Sequence, residues 1–500
     1  MTAMDLRKAL YTAKQVREGE VGAAANAGVT LYELMERAGR ATFAVILNYY
    51  PAVSRLCVVC GKGNNGGDGY VVARLARQQG LHVMLIQSGD AESLSGDAKQ
   101  AQQAWQDAGG EISDTASLNV ALSDCDLVVD ALLGTGLAGA VRDEMAKVMD
   151  AVNLAGKPIV SVDIPSGLCA DTGQALPDAI HADHTITFIG TKQGLVTGKA
   201  RAFCGAIHFA DLGVGAEFAK LVPSFKMTIE RDEIAQWRLT RDRCAHKGDH
   251  GRVVLIGGNR GMSGAISLAA TACARSGAGL VAALTHPESA LPLQIHCPEV
   301  MTLGYNEDKK ELEKKLDWAD LLVVGPGLGT DEWAKKRWND IANFQGPMVL
   351  DADGLNWLAR YPNHNDRRII TPHPGEAARL LGCSVNEVEA DRFAAISVLQ
   401  SQYGGVVVLK GAGTLICDGT QTFVCNAGNP GMASGGMGDV LSGVIGALLA
   451  QKLPLLRAAS LGVLLHSCAA DICAEQDGEI GLLASDLLLK IRQLNNTNPH

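Results

Sequence analysis

Short apolar, β-branched runs alternate with helix-patterned segments twice along this chain, and that alternation limits the fold more than any other feature. Between about residues 56 and 213 the runs are "RLCVVC", "LHVMLIQ", "CDLVVDALL", "PIVSVDIPSG" and "HTITFIG", bounded by Gly, Pro or Asp. Helical spacing in "GYVVARLARQQG" and "DAKQAQQAWQDAG" falls between them. Strands that are apolar throughout are buried on both faces, which implies a mostly parallel sheet covered by helices. A long amphipathic helix, "GVTLYELMERAGRATFAVILNYY", precedes the set and either packs on the sheet or joins two subunits. A charged, irregular stretch opening at Pro223 interrupts the rhythm. A second set follows: "GRVVLIGG", "GLVAALT", "ADLLVVGPG", "PMVLDADG", "RRIITPHPGE" and "GVVVLKGAGTLICDG". "KGAGTLICDGTQTFVCNAG" reads as strand, turn, strand at a sheet edge. The chain of 500 residues is too long for one core. The expected division is a first domain over 1–221, a linker over 222–240 and a second domain over 241–500. The sets share an architecture but no motif at fixed spacing, so no internal repeat is assigned.

Composition narrows the function classes. The 57 glycines and 5% aromatic residues fit many tight strand–helix loops. A formal net charge of −10 provides no basic footprint for nucleic acid. The 13 cysteines are odd in number and lack disulfide-framework spacing. Cys57 and Cys60 form a C-x-x-C, but with no second pair they read as a buried strand rather than a redox or zinc site. The N-terminus is charged from the start, and the apolar run 440–450 is too short to span a bilayer. These features predict a cytoplasmic protein with no membrane partner, and a homo-oligomer is expected.

In a parallel sheet, ligands bind beyond the carboxyl ends of the strands. Three loops of the first set carry unusual polar residues there: "GNNGGDG" (63–69), "DALLGTGLAGA" (130–140) and "VDIPSGL" (162–168). Glycines let backbone amides approach a pyrophosphate, and the helix after Asp68 points its positive end at it. Asn65, Asp130 and Ser166 supply only oxygen ligands, which suit a hard cation. Asp163, three residues before Ser166, reads as an acid/base group. Asx and Ser residues often serve only as caps at such turns; three such loops in one sheet favour a site. These loops, preceded by "YTAKQVRE" and "LMERAG", resemble the NAD(P)H-hydrate epimerase domain over roughly 10–215. The resemblance implies that Asn64, Asn65, Gly66, Gly67, Asp68, Gly134, Thr135, Gly136, Leu137, Ala138, Gly139, Ala140 and Asp163 contact a hydrated nicotinamide dinucleotide. It also implies K+ on Asn65, Asp130 and Ser166, with Lys192 of "GTKQGL" as a supporting cation.

In the second set, "GGMGDVLSGVIGALLA" places glycines at a helix start with Asp439 in its first turn, an anion hole beside a carboxylate. Phosphoryl transfer needs those parts: amides for developing charge and a base at the accepting hydroxyl. "VVVLKGAGT" adds a strand-end Lys410 and a turn that holds a nucleotide phosphate or lies over adenine. His373 is bracketed by two prolines in "TPHPGE". These motifs, with "GPGLGT" and "DADGLN", resemble the ADP- or ATP-dependent NAD(P)H-hydrate dehydratase, a ribokinase-like fold, over roughly 235–490. By resemblance, Ala265, Gly327, His373 and Asp439 contact the hydrate, while Lys410, Gly411, Ala412, Gly413, Thr414 and Gly438 hold the adenine nucleotide with Mg2+. One departure is Asn259, where the family more often has Ser in a "GGS" ending. The expected fold is therefore α/β in two domains, a Rossmann-like parallel-sheet sandwich followed by a ribokinase-like domain. The expected function is bifunctional repair of hydrated NADH and NADPH, isomerase then lyase, with ADP favoured over ATP. The alternative is a vitamin-precursor type kinase fused to a dinucleotide-binding module.

Overall fold

The computed structural model describes residues 6–136, 139, 141–305 and 309–496. The chain divides into two compact units, Met1–Met227 and Thr228–His500.

In unit 1 the strands are β1 (Leu10–Tyr11), β2 (Arg55–Cys60), β3 (His82–Gln87), β4 (Ile112–Ser113), β5 (Leu127–Ala131), β6 (Ile159–Val162), β7 (His184–Phe188), β8 (Thr191–Lys192) and β9 (Ala206–Ala210). Its helices are α1 (Ala13–Asn26), α2 (Leu31–Tyr49), α3 (Asn64–Gln78), α4 (Gly96–Asp107), α5 (Leu118–Asp124), α6 (Asp143–Leu154) and α7 (Gly215–Leu221). Seven strands form one parallel sheet in the order β4-β3-β2-β5-β6-β7-β9, and β1 pairs with β8 separately. The strand order reverses between β2 and β5, whose ends align with Cys60 opposite Ala131. A crevice opens at such a point because the loops leave in opposite directions. Capping boxes start α1 (Thr12 with Gln15) and α2 (Thr30 with Glu33), each satisfying two amides that lack helical partners. The apolar face of α2 lies buried in the core beside α3 and the sheet. Cys57 and Cys60 are buried on opposite faces of β2, in separate core clusters, so they share no ligand.

Unit 2 continues with β10 (Lys226–Ile229), β11 (Arg252–Ile256), β12 (Leu280–Thr285), β13 (Met301–Gly304), β14 (Leu321–Val324), β15 (Met348–Leu350), β16 (Arg368–Ile370), β17 (Val406–Leu409), β18 (Thr414–Cys417) and β19 (Thr422–Cys425). Its helices are α8 (Asp232–Trp237), α9 (Ser263–Arg275), α10 (Pro287–His296), α11 (Lys309–Trp318), α12 (Glu332–Asp340), α13 (Asp353–Arg360), α14 (Pro374–Leu381), α15 (Val385–Ala390), α16 (Arg392–Tyr403), α17 (Met437–Ala450), α18 (Leu455–Asp477) and α19 (Leu487–Asn496). The sheet order is β10-β19-β18-β17-β16-β15-β14-β11-β12-β13. Strands β11 to β17 run parallel, and β18 and β19 return antiparallel. Here the order reverses between β11 and β14. The β18–β19 hairpin forms as expected but is not the edge, because β10 flanks it. Within the segment expected to link the domains, residues 226–229 form that strand and 232–237 a helix.

Helix α17 meets α9 so closely that a Cβ at Gly443 would lie 2.1 Å from the Ala269 carbonyl oxygen. That contact aligns the two helices along the sheet. α18 is long and apolar enough to cross a membrane by length and composition, but most of it is buried as a core helix of unit 2.

Candidate active sites

In unit 1 the three glycine- and Asx-bearing loops line a cavity of about 750 Å³ at the carboxyl ends of β2, β5 and β6. Asn64, Asn65, Asp68, Gly134, Thr135, Gly136 and Asp163 all face it. Gly66 and Gly67 lie buried behind them in α3. One expectation is corrected: helix α3 begins at Asn64, so Asn64–Asp68 form its first turn rather than the loop before it. Gly63 caps it without a side-chain acceptor, which leaves the first amides free for an anion. Leu137, Ala138 and Ala140 lie outside the described residues. Gly139 is exposed.

Asp163 directly follows β6 with a φ of +64°, a conformation rare for a non-glycine residue and concentrated at functional sites. Lys192 is buried to 1% exposure, and its ammonium pairs with Asp163 Oδ1. It also donates to Phe188 O (3.1 Å) and Thr187 Oγ1 (3.2 Å). The Phe188 amide donates to the same Oδ1 at 3.2 Å. Asp163 thus has one oxygen tied down by donors and faces the cavity with the rest. Burial, reinforced by the charges of Asp163 and Glu20, holds the Asp68 carboxyl well above the usual carboxylate range.

Behind this cavity, Asp130 is buried among oxygen groups. Ser166 Oγ (2.5 Å), Ser161 Oγ (2.8 Å) and the Ser166 amide (2.9 Å) donate to it. Ser166 Oγ also lies 3.3 Å from Leu133 O, and Asn65 Nδ2 donates to that carbonyl at 3.1 Å. Asp130 has no cationic side chain against it among the described residues, and burial raises its pKa. A buried carboxyl without a counter-charge, beside hydroxyl and carbonyl oxygens and the Asn65 carboxamide, fits a monovalent hard cation.

In unit 2 the strand-end loops converge in the same manner. The loops after β11 and β14 are joined by Asn259, whose Nδ2 donates to Leu328 O (3.1 Å) and Asp331 Oδ1 (2.9 Å). The residue that departs from the family pattern is thus a strut between two site loops. Gly327 has a φ of +60°, and a Cβ there would lie 3.1 Å from that of Ala265, which places these two expected hydrate contacts side by side.

At the ends of β15 and β17, Lys410 Nζ pairs with Asp351 Oδ1 at 2.8 Å and lies 3.7 Å from Glu376 Oε2. Thr371 Oγ1 donates to the same Asp351 oxygen at 2.8 Å. Burial opposes the Lys410 charge, but Asp351 and Glu376 outweigh it and raise its pKa. Asp439 lies in the first turn of α17, which Gly436 caps without a side-chain acceptor. Burial, then the charge of Asp351, pushes Asp439 up to about 7. His373 caps α14: Gly375 N–H donates to its Nδ1 at 3.0 Å, and its own amide donates to Glu376 Oε2 at 2.7 Å. Because Nδ1 accepts, the ring's proton sits on Nε2, which lies 3.6 Å from Glu376 Oε1 while about half of the side chain stays exposed. Burial, then Lys410, lowers its pKa and keeps the ring neutral.

Comparisons with known proteins agree with this layout. Residues 31–194 match the model of the YjeF-related protein N-terminus, and residues 253–493 match that of NAD(P)H-hydrate dehydratase. The bifunctional NAD(P)H-hydrate repair enzyme of Vibrio cholerae is 50% identical over 99% of this chain and 100% of its own length. That of Escherichia coli is 49% identical over 97% of this chain and 94% of its own. The chain belongs to the bifunctional NAD(P)H-hydrate repair enzymes. A solved ribokinase-like superfamily protein from Enterococcus faecalis is 31% identical, covers 54% of this chain and 95% of its own, and superposes with a TM-score of 0.51.

Two features of this repair enzyme's sites are not among the residues the motifs single out. Asp351 and Glu376 carry the charge around Lys410, yet they stand in "LDADGLN" and "TPHPGE" as ordinary strand-end and capping acids. Arg392 is buried and donates to the carbonyls of Leu409 (3.2 Å) and Lys410 (3.1 Å), bracing the Lys410–Thr414 turn from behind. A buried arginine in a helical segment is a detectable signal, because such a group is almost never buried unpaired.

Proposed function

We propose that the two units act in succession on hydrated NADH and NADPH. Unit 1 interconverts the R and S hydrates. Unit 2 dehydrates the S hydrate with consumption of an adenine nucleotide, ADP favoured over ATP. The observation that carries this reading is Asp439: a carboxyl in the first turn of an uncapped helix, held near 7 between Asp351, Glu376 and Lys410. A general base works best when its pKa lies near the operating pH. A phosphate accepted by the α17 amides and Lys410 would have its acceptor hydroxyl at this carboxyl.

In unit 2 Asp439 takes the proton of the added hydroxyl as the hydroxyl oxygen attacks the terminal phosphorus. The Lys410 ammonium and the Gly438 amide face the charge that develops, and Nε2–H of His373 is presented to orient the nicotinamide portion. The bond from that phosphorus to the nucleotide oxygen breaks as the new one forms, releasing the shortened nucleotide; the C6–O bond then breaks with its electron pair on phosphate, and loss of the C5 proton restores the C5–C6 double bond. Among the described residues no three His, Cys, Asp or Glu side chains form a metal-binding group. Mg2+ would arrive on the nucleotide phosphates, with the site's carboxylates nearby, and supplies charge neutralisation. In unit 1 Asp163, oriented by Lys192, is the acid/base group at the carbinol carbon. Asn65, Asp130 and Ser166 would hold K+, which supplies a fixed positive charge at the loop ends.

The test is recovery of reduced-nicotinamide absorbance from mixed epimers of hydrated NADPH, with Mg2+ and either ADP or ATP. Full recovery is expected with one nucleotide, and recovery limited to the S fraction plus slow spontaneous epimerisation in Asp163→Ala. No recovery with either nucleotide would sink the reading.

A further inference from the structure

Glu20 belongs to no motif, yet it projects from α1 into the unit 1 cavity beside Asp163, Lys192 and Asp68. Among the described residues its carboxyl has no hydrogen-bond donor and no ion-pair partner, and neither has that of Asp68. Both side chains are part-buried and line the cavity, so a bound ligand can reach their carboxyls. The position is rigid: a Cβ at Gly19 would lie 2.5 Å from Phe218 and Val222, so α1 sits directly on α7. The α1 start is pinned as well, the Ala13 amide donating to Asp171 Oδ1 at 2.7 Å.

Epimerisation at a carbinol carbon next to a ring nitrogen makes two demands. The hydroxyl must leave one face with a proton, and water must add to the other while losing one. Asp163 is suited to only one of these at a time, since Lys192 and the Phe188 amide hold it as an acceptor. Around it, three carboxyl groups face one buried ammonium, an excess of like charge that favours the protonated form of a carboxyl with no donor of its own. We propose, on the reading of unit 1 as the epimerase, that Glu20 is the proton donor of this reaction, acting from α1 in concert with Asp163 at the end of β6.

In the step, the C6–O bond breaks with its electron pair on oxygen, and the Glu20 proton converts that oxygen to water. The ring nitrogen lone pair forms the C6–N1 double bond of an iminium ion. A water molecule then adds to C6, its electron pair forming the new C–O bond while the iminium pair returns to nitrogen. Its surplus proton goes to Asp163. One water leaves and one enters, and the proton on Asp163 returns to Glu20 through cavity water. Burial raises the Glu20 pKa and Asp163 adds to this, while Lys192 and, from the same helix, Arg17 oppose it. Asp68 is the remaining carboxyl facing this group.

The experiment follows R-to-S conversion chromatographically in the full-length protein without nucleotide, where unit 2 is idle. Wild-type acceleration over the spontaneous rate checks the epimerase reading first; its absence would refute that reading and this proposal with it, whereas the outcomes for the variants bear on this proposal alone. Glu20→Gln should slow conversion 10²- to 10⁴-fold, the range for general acid catalysis, and remove the decline of rate at alkaline pH. Asp68→Asn should weaken hydrate binding and keep that decline. Wild-type conversion in Glu20→Gln, or loss of the alkaline decline in Asp68→Asn alone, would overturn the proposal. An unchanged melting transition of unit 1 in Glu20→Gln verifies that its fold is kept.

Discussion

Asp439→Asn should make the protein a much poorer dehydratase and more stable at the same time. The folded carboxyl stands at about 7 against an ordinary value of 3.8. At about 1.36 kcal/mol per tenfold change, ionising it in place costs on the order of 4 kcal/mol. Asp439 is partly open to solvent, and screening brings the expected cost to about 2 kcal/mol. The sign follows from proton binding. Between pH 3.8 and 7 the folded state holds a proton that the unfolded state has lost, so stability falls as pH rises through this window. Below it neither state pays, and above it the penalty is constant. Asparagine never pays it. The variant should therefore melt about 5 °C above wild type at pH 8, at roughly 2–3 °C per kcal/mol for a unit of this size. At pH 5 the advantage should be less than half as large. Dehydration should fall by about 10²-fold or more, as loss of a general base predicts. Differential scanning fluorimetry without nucleotide and the absorbance assay together check this. A variant destabilised equally at both pH values would refute the claim that burial among carboxylates holds Asp439 high.

Four further outcomes follow. Wild-type dehydration should rise with pH to a plateau above about 7, measured as rate against pH at saturating substrates; a flat profile from pH 5.5 to 8.5 would count against Asp439 as base. In Gly438→Ala a new methyl lies 3.2 Å from Lys410 Nζ and 3.3 Å from Asp351 Oδ2, so the nucleotide KM should rise at least about tenfold while a helical alanine leaves melting unchanged or higher. Lys192→Met should leave Asp163 without its counter-charge, destabilising unit 1 by about 3 kcal/mol and abolishing epimerisation, with S-hydrate dehydration intact. Replacing K+ by tetramethylammonium should lower the melting of unit 1 and its epimerisation rate but not the Mg2+-dependent reaction, since the buried Asp130, with no cationic side chain against it among the described residues, lies in unit 1.

Much of this architecture is legible along the chain because near-continuous β-branched runs have few alternatives to a buried parallel strand. β2, β3, β5, β6 and β7, and in unit 2 β11, β12 and β14 to β17, fall on such runs. The two-residue strand β4 and edge strands such as β9, β10 and β13 do not stand out, because partial exposure admits polar residues and weakens the pattern. The start of α3 was legible only approximately. "NNGG" has poor helix propensity, and packing in the core overrides it.

By itself the sequence determined the two α/β units, the glycine loops at the strand ends, and the residue types placed there: Asp163, Lys192, Asp439, Lys410 and His373. These signals are local, since they depend on backbone period and turn chemistry within a few residues. Only the tertiary structure decided which charges meet. Lys410 finds Asp351 across 59 residues and Asp163 finds Lys192 across 29, while Glu20 reaches the same cavity from a helix before the sheet begins. A pKa near 7 at Asp439, or an unpartnered carboxyl at Glu20, exists only once strand ends converge and exclude water, because charge–charge coupling acts through space and not along the chain.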